Sequence, residues 1–321
     1  MAPSLTILDV GHGNSAILHE GTEAIVIDAC PGTALLEFLV ESSISIVRSV
    51  LISHADSGHL KGLVGLLDQS QIAVESVFLN SDAAKNTRVW DALIYALEER
   101  HRAGDCEFSI ELTEGTGFAL GDHARVEVLA PRKLLAAKGP GSTDDAGRRI
   151  TSNTISAVAR VSVPGREVLL TGDIDELGWA HLAASGQNLS AEVLVFPHHG
   201  GNAGQATVAR NAGFARELMA AVEPTDVVFS IGRTSRHANP RPEMVSAVVE
   251  ARGRVLCTQL SQHCSSTTQT DVDHLVPVFA LGRVEGRCCA GTVVIADATL
   301  SPSSAEHAVF ITASAPTALC R

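Results

Sequence analysis

Aromatic side chains are scarce: Phe, Trp and Tyr make up 4% of the 321 residues. Val, Leu, Ile and Ala must therefore fill the interior, and an apolar content of 45% allows a substantial core. Basic charge is scarce too. Lys and Arg number 24 against 36 Asp and Glu, a formal charge of −12, and no basic run appears. Proteins that track long duplex DNA carry a basic face, so that partner is disfavoured. No apolar run reaches the ~18 residues of a membrane span. Met1-Ala2-Pro3-Ser4 lacks the charged start of an export signal and passes straight into a strand-like segment. The expectation is a cytoplasmic chain with no membrane partner. Seven cysteines, an odd count without an export signal, argue against a disulfide framework. No Gly-x-Ser-x-Gly elbow is present, so serine hydrolysis has no support. Short repeats and low-complexity tracts are absent as well.

What is present is a succession of short apolar strands with helices between them. Leu5–Val10, Ser15–His19 and Ala24–Ile27 read as a β-meander. Ile46–Ile52, Val74–Leu79, Ser109–Leu112, Val126–Leu129, Ile155–Val163, Glu167–Leu170, Val193–Phe196, Val227–Ile231 and Arg254–Thr258 read as further strands. Val293–Ala296 and Ala308–Ile311 look like two more. The clearest helix is Asn86–Arg102, where Val89, Leu93, Ala96 and Leu97 recur at helical spacing. Lys138–Arg149, rich in Gly, Ser, Asp and Arg, reads as an exposed, mobile loop. The pattern runs in two halves, each a meander followed by alternating strands and helices. It predicts an α/β protein built as an αββα four-layer sandwich, with residues 1–260 as one domain and 261–321 as a small Cys-containing extension packed on it.

Four segments place ligand-type residues just after apolar strands: Asp28; the loop with His54, Asp56 and His59; Asp173; and His198-His199. Strand ends are where layered folds collect site residues. Imidazole and carboxylate together are the ligand set of zinc and its neighbours. Each segment alone has a bland reading as a cap, turn or surface loop. Their order along one chain points to a metal site.

Leu8-Asp9-Val10-Gly11-His12-Gly13-Asn14-Ser15, Ile27-Asp28, Ser53-His54-Ala55-Asp56-Ser57-Gly58-His59, Asn153-Thr154-Ile155-Ser156, Leu169-Leu170-Thr171-Gly172-Asp173 and Pro197-His198-His199-Gly200 follow one another along the chain. Ser230-Ile231-Gly232 and Asn239-Pro240-Arg241-Pro242-Glu243 come after them. In this order the segments resemble the metallo-β-lactamase fold, and within it the soluble hydrolase domain of the ComEC competence proteins. The resemblance covers roughly Leu5 to Gln259. It implies a two-metal site of zinc or manganese, with His54 and Asp56 on one ion, His59 on the second and Asp173 bridging. One of His198 and His199, with His198 favoured, would complete the second. Asp56, His59 and Asp173 would then carry the catalysis. Two cations ~3.5–4 Å apart can share a carboxylate, bind a hydroxide nucleophile and clamp the leaving oxygen of a phosphodiester.

The chain departs from that pattern at Gly58, Asn14 and Asn239. The pattern has Asp directly before the second loop histidine, and glycine offers no side-chain ligand. One or two ions, and even a site without chemistry, stay open at this level. His12 and His237, the latter with Arg233 and Arg236 nearby, are candidates to touch an anionic substrate. Cys257, His263, Cys264, Cys288 and Cys289 fall within 33 residues and invite a second, structural metal site. The alternative there is a set of buried, reduced thiols. Gln269–Pro277 reads as a lid or an exposed loop. Two functions follow. One is a metal-dependent hydrolase of phosphodiester or other small anionic substrates. The other is a non-catalytic module of the same fold that binds a partner protein encoded nearby.

Overall fold

Along Arg166–Leu170 the side chains alternate, and both faces are apolar. Val168 and Leu170 join one core cluster, while Leu169 joins another. A strand of this kind must be covered on both sides. The computed structural model shows how, and describes residues 2–204, 207–233, 237–265, 273–314 and 317–320. In the first half, β1 (Ser4–Ile7), β2 (Ala16–Glu20) and β3 (Glu23–Ile27) form an antiparallel meander. The chain then turns parallel through β4 (Ile46–Leu51), β5 (Ala73–Val74), β6 (Ser76–Phe78) and β7 (Glu107–Ser109). The second half repeats the plan. β8 (Gly117–Leu120), β9 (Ala124–Ala130), β10 (Val158–Val163) and β11 (Arg166–Leu170) are antiparallel. β12 (Val193–Val195), β13 (Asp226–Phe229) and β14 (Arg254–Cys257) then add in parallel. Finally β15 (Val293–Ala296) and β16 (Thr299–Ser301) return to the first sheet, β15 pairing antiparallel with β1.

The facing surfaces of the two sheets enclose a core of Leu5, Ile7, Leu18, Ile25, Val126, Val161, Val168, Val193 and Ile295. Outside the first sheet lie α1 (Ala34–Glu41), α2 (Ser57–Leu67) and α3 (Arg88–Ala103), which bury Leu39, Leu63 and Leu93 against it. A short α4 (Lys133–Lys138) follows. Outside the second sheet lie α5 (Glu176–Ala183), α6 (Val208–Val222) and α7 (Pro242–Glu250); a short α8 (Leu281–Val284) sits by the opening turn, where Leu281 N donates to the Asp9 carbonyl, and α9 (Ser304–Ser314) returns to the second sheet's outer face. Trp179, Leu218, Val248 and Phe310 supply their inner faces. The arrangement is an αββα sandwich. Near the opening turn, buried Asp9 accepts hydrogen bonds from Gly11 N, Gln259 Nε2 and Gly282 N, tying the first strand to the last third of the chain.

Three sequence expectations need correction. Ala308–Ile311 is helical, inside α9. Ser303 and Glu306 exchange hydrogen bonds there: Ser303 N and Oγ donate to Glu306 Oε2, and Glu306 N donates back to Ser303 Oγ. This capping box starts the helix. Residues 138–149 are largely exposed, as expected, but are bonded together rather than open. Asp144 is buried and accepts from Ala146 N, Arg148 N and Arg148 Nε, and a bridge pairs Thr143 with Arg149. Ser109–Leu112 is mostly outside the sheet, since β7 ends at Ser109. Residues 269–272 of the expected lid, and Arg236, lie outside the described residues.

Candidate metal centre

The site gathers at one end of the sandwich, where parallel strands deliver their carboxyl ends. β3 runs into Asp28, β4 into the His54–His59 loop, β11 into Asp173, and β12 into His198-His199. Backbone geometry is specialised at each delivery point. Gly172 has φ +52, and a Cβ there would lie 2.4 Å from Ser156 Oγ and 3.1 Å from Ser53 Cβ. His198 and His199 both take left-handed conformations, φ 56 and 57. Such backbone is held only where surrounding structure over-determines it.

Three ligand atoms, one each from His54, His59 and Asp173, lie within 4.8 Å of one another, the single such group among the described residues. Asp173 is the hub. Its Oδ2 is 3.4 Å from His59 Nε2, 3.8 Å from His54 Nε2 and 3.0 Å from His198 Nδ1. Its Oδ1 is 3.7 Å from His199 Nε2. The imidazoles are held from behind. His59 Nδ1 is 2.6 Å from Asp28 Oδ2, and Asp28 also accepts from Ser53 N at 2.7 Å and Ser53 Oγ at 2.8 Å. Because Ser53 Oγ donates to Asp28, its oxygen accepts from His54 Nδ1 at 3.0 Å. His199 Nδ1 donates to the Ser230 carbonyl at 2.8 Å. All three rings thus present Nε2 to Asp173, the arrangement by which outer partners fix a ligand tautomer. His54 Nε2 and Asp173 Oδ1 are buried without a hydrogen-bond partner, and a bound cation is one explanation that satisfies both.

Charge follows from these contacts. Burial lowers His54 to about 4, and the neighbouring His59 adds to the effect. Burial also lowers His199 to about 4 against the pull of Asp173. For His59 burial works the same way, but Asp173 and Asp28 outweigh it and hold the ring well above its ordinary value. Burial disfavours the Asp173 carboxylate, yet His199 and His59 outweigh that and hold it well below the usual carboxylate range. Neutral His54 and His199 beside a committed carboxylate, with His54 Nε2 and Asp173 Oδ1 unpartnered, fit a divalent cation, which would take the place of the proton on His59 Nε2.

A family model described as Metallo-beta-lactamase superfamily matches residues 8–178. The chain belongs to the metallo-beta-lactamase superfamily. Competence protein ComA of Neisseria gonorrhoeae is 25% identical over 264 residues, 80% of this chain and 31% of that protein. ComE operon protein 3 of Bacillus subtilis (strain 168) is 24% identical over 230 residues, 70% of this chain and 25% of that protein. The chain thus spans about a third or less of the curated relatives it matches. Among solved structures, Zn2+-bound PqqB from Methylobacterium extorquens aligns with a TM-score of 0.49 at 13% identity, covering 79% of this chain and 97% of that one.

In this superfamily member the histidine pair divides. His199 is buried with Nε2 toward Asp173 Oδ1, whereas His198 keeps a third of its side chain exposed and turns Nδ1 to the same carboxylate. Asp56 Oδ1 sits 3.8 Å from His54 Nε2 on the exposed side of the cluster. Above them opens a polar cleft of about 450 Å³, lined among others by His12, Asn202, His237, Asn239 and Arg241. The His12 ring lies 4.7 Å from His199 and stacks 5.2 Å from His237. Asn14 instead lines a small void beneath the floor, with Ser15, Asp28 and Ser53. Two residues that strand-end reasoning passed over belong to the site. Lys85 hydrogen-bonds Asp56, and Arg241 reaches the cleft with Nε buried and unpartnered. Arg241 lies in the Asn239–Glu243 segment already singled out, so position was an available signal there; none marked Lys85.

The C-terminal set is not gathered as one site. Cys257, Cys264 and Cys289 line a small apolar cavity with Cys320, and burial drives these three thiols upward. Cys288 turns instead to Asp9 at 3.5 Å, since adjacent residues on an extended segment face opposite ways. His263 Nε2 lies 3.0 Å from the Ala238 carbonyl.

Proposed function

We propose that this chain is a metal-dependent hydrolase acting on phosphodiester or closely related anionic substrates. The observation that carries the reading is the pair of unpartnered buried atoms, His54 Nε2 and Asp173 Oδ1, on neighbouring residues of which Asp173 lines an open polar cleft. His54, His59 and Asp173 would hold the ion, with His199 on the far carboxylate oxygen. When bound, zinc or manganese supplies Lewis acidity toward a phosphoryl oxygen and lowers the pKa of water toward neutrality.

The remaining work falls to side chains. Asp28, Ser53 and the Ser230 carbonyl hold the imidazoles so that little reorganisation accompanies reaction. His198, partly exposed and hydrogen-bonded to Asp173, stands at the cleft wall where a proton can pass to a leaving oxygen. Arg241 anchors the substrate anion; its guanidinium fork suits phosphate. Buried Asn239 shares this wall. The test is hydrolysis of bis-p-nitrophenyl phosphate and short single-stranded oligonucleotides by the metal-loaded protein, beside Asp173→Ala. Turnover abolished by the substitution supports the reading. No turnover of any phosphodiester with either metal overturns it.

A further inference from the structure

Asp56 has two claimants. Its Oδ1 faces His54 Nε2 across 3.8 Å, yet the same oxygen accepts a charged hydrogen bond from Lys85 Nζ. The cluster of mutually close ligand atoms accordingly contains His54, His59 and Asp173 but leaves Asp56 out. Lys85 is placed by structure on both sides. It ends the 3-10 turn Ala83–Lys85, and Asn86 then takes a left-handed conformation, φ 44. Its Nζ also lies 3.5 Å from Ser152 Oγ, which donates to Asp82, a carboxylate only 2% exposed. Only about a quarter of the Lys85 side chain meets solvent.

Counting charge shows what this does. Asp56 and Asp173 are the carboxylates that line the cleft, and position 58 is a glycine. Asp28 is engaged beneath the floor by His59 and Ser53. The Lys85 ammonium offsets Asp56 and leaves one uncompensated carboxylate. With the ring nitrogens neutral toward metal and Asp28 keeping its charge beneath them, one divalent ion leaves the centre neutral. A second ion would leave two positive charges, with the carboxylate beside it already paired. Asp173 would then be the one unpaired cleft carboxylate for two ions to share, and like charges that close repel.

We infer that Lys85 is a built-in cation standing in for one of two metal ions. The centre then takes a single divalent ion at His54, His59 and Asp173, and the ammonium supplies the second positive charge at the cleft wall. This inference rests on the metal-centre reading above and fixes its stoichiometry.

The test is metal per chain after loading the metal-free protein with excess zinc and desalting, read by elemental analysis and native mass spectrometry. The wild type is expected to hold one ion, Lys85→Met two, and Lys85→Arg, which keeps the charge, one. Lys85→Gln serves as a second neutral variant, with circular dichroism reporting the fold of each. Two ions in the wild type, one in both folded neutral variants, or two in Lys85→Arg would overturn the inference while leaving the metal centre standing. A wild type that retains no zinc sinks the metal-centre reading and this one together, so the two failures are told apart.

Discussion

Asp28 and His59 share a 2.6 Å hydrogen bond beneath the floor of the cleft, and Asp28 holds it from a left-handed backbone, φ 61. The bond reserves His59 Nδ1 for the protein and turns Nε2 toward Asp173. Outer partners of this type contribute roughly 10–100-fold to metal affinity. Asp28→Asn is therefore expected to weaken zinc binding by about that factor with the fold retained. Competition against a chromophoric chelator measures it; an unchanged affinity would show that Asp28 serves the backbone alone.

Gly58 lies in the first turn of α2, and a Cβ there would meet only Gly13 Cα, at 3.7 Å. The position has room. A carboxylate in a first helical turn also gains about 0.3–1 kcal/mol from the helix dipole. Gly58→Asp is expected to fold with a melting temperature no lower than wild type and to raise phosphodiester turnover. Gly172→Ala is the contrast, because its Cβ would collide with Ser156 Oγ at a positive φ. A loss of about 1–3 kcal/mol is expected there, read by chemical denaturation.

Arg241 lines the cleft with an unpartnered Nε. Its backbone N–H bonds the Gly200 carbonyl at 2.8 Å, which fixes it beside the His198-His199 turn. Arg241→Ala is expected to raise KM for an anionic substrate about tenfold or more with a smaller effect on kcat, the signature of lost uniform binding. Equal KM values for the two proteins would remove Arg241 from the substrate site.

His307 on α9 is buried, with Nε2 3.4 Å from Cys289 Sγ. Burial, with His274 and Arg254 nearby, lowers it to about 4 from an ordinary 6.5. The unfolded chain binds this proton first as pH falls. Stability from the neutral ring is therefore complete above pH 6.5 and is lost as pH falls from there to about 4, a total of about 3 kcal/mol. His307→Phe is expected to flatten that part of the stability profile. Parallel profiles for the two proteins would show that His307 does not titrate in this window.

The fold was legible where side-chain period and chemistry coincide. The short apolar run Val168–Leu170 and the helical spacing of Val89, Leu93, Ala96 and Leu97 each mark their element, and the strand-end residues Asp28, His54, His59 and Asp173 lie together. Ala308–Ile311 misled because its apolar run suits either element, while the deciding signal, Ser303 and Glu306, lies just upstream. The 138–149 loop misled because Gly and Ser content hides one buried acid, Asp144. Lys85 was invisible for a different reason. An ion pair with Asp56, 29 positions away, is a tertiary contact that no local pattern announces.

The most direct measurement is the zinc dissociation constant of the wild type beside Asp173→Ala, both confirmed folded by circular dichroism. Asp173 touches every imidazole of the cluster, so the expected result is a loss of affinity of 100-fold or more, on the order of 3 kcal/mol. Equal affinities in the two proteins would place the metal elsewhere and contradict the assignment of this cleft.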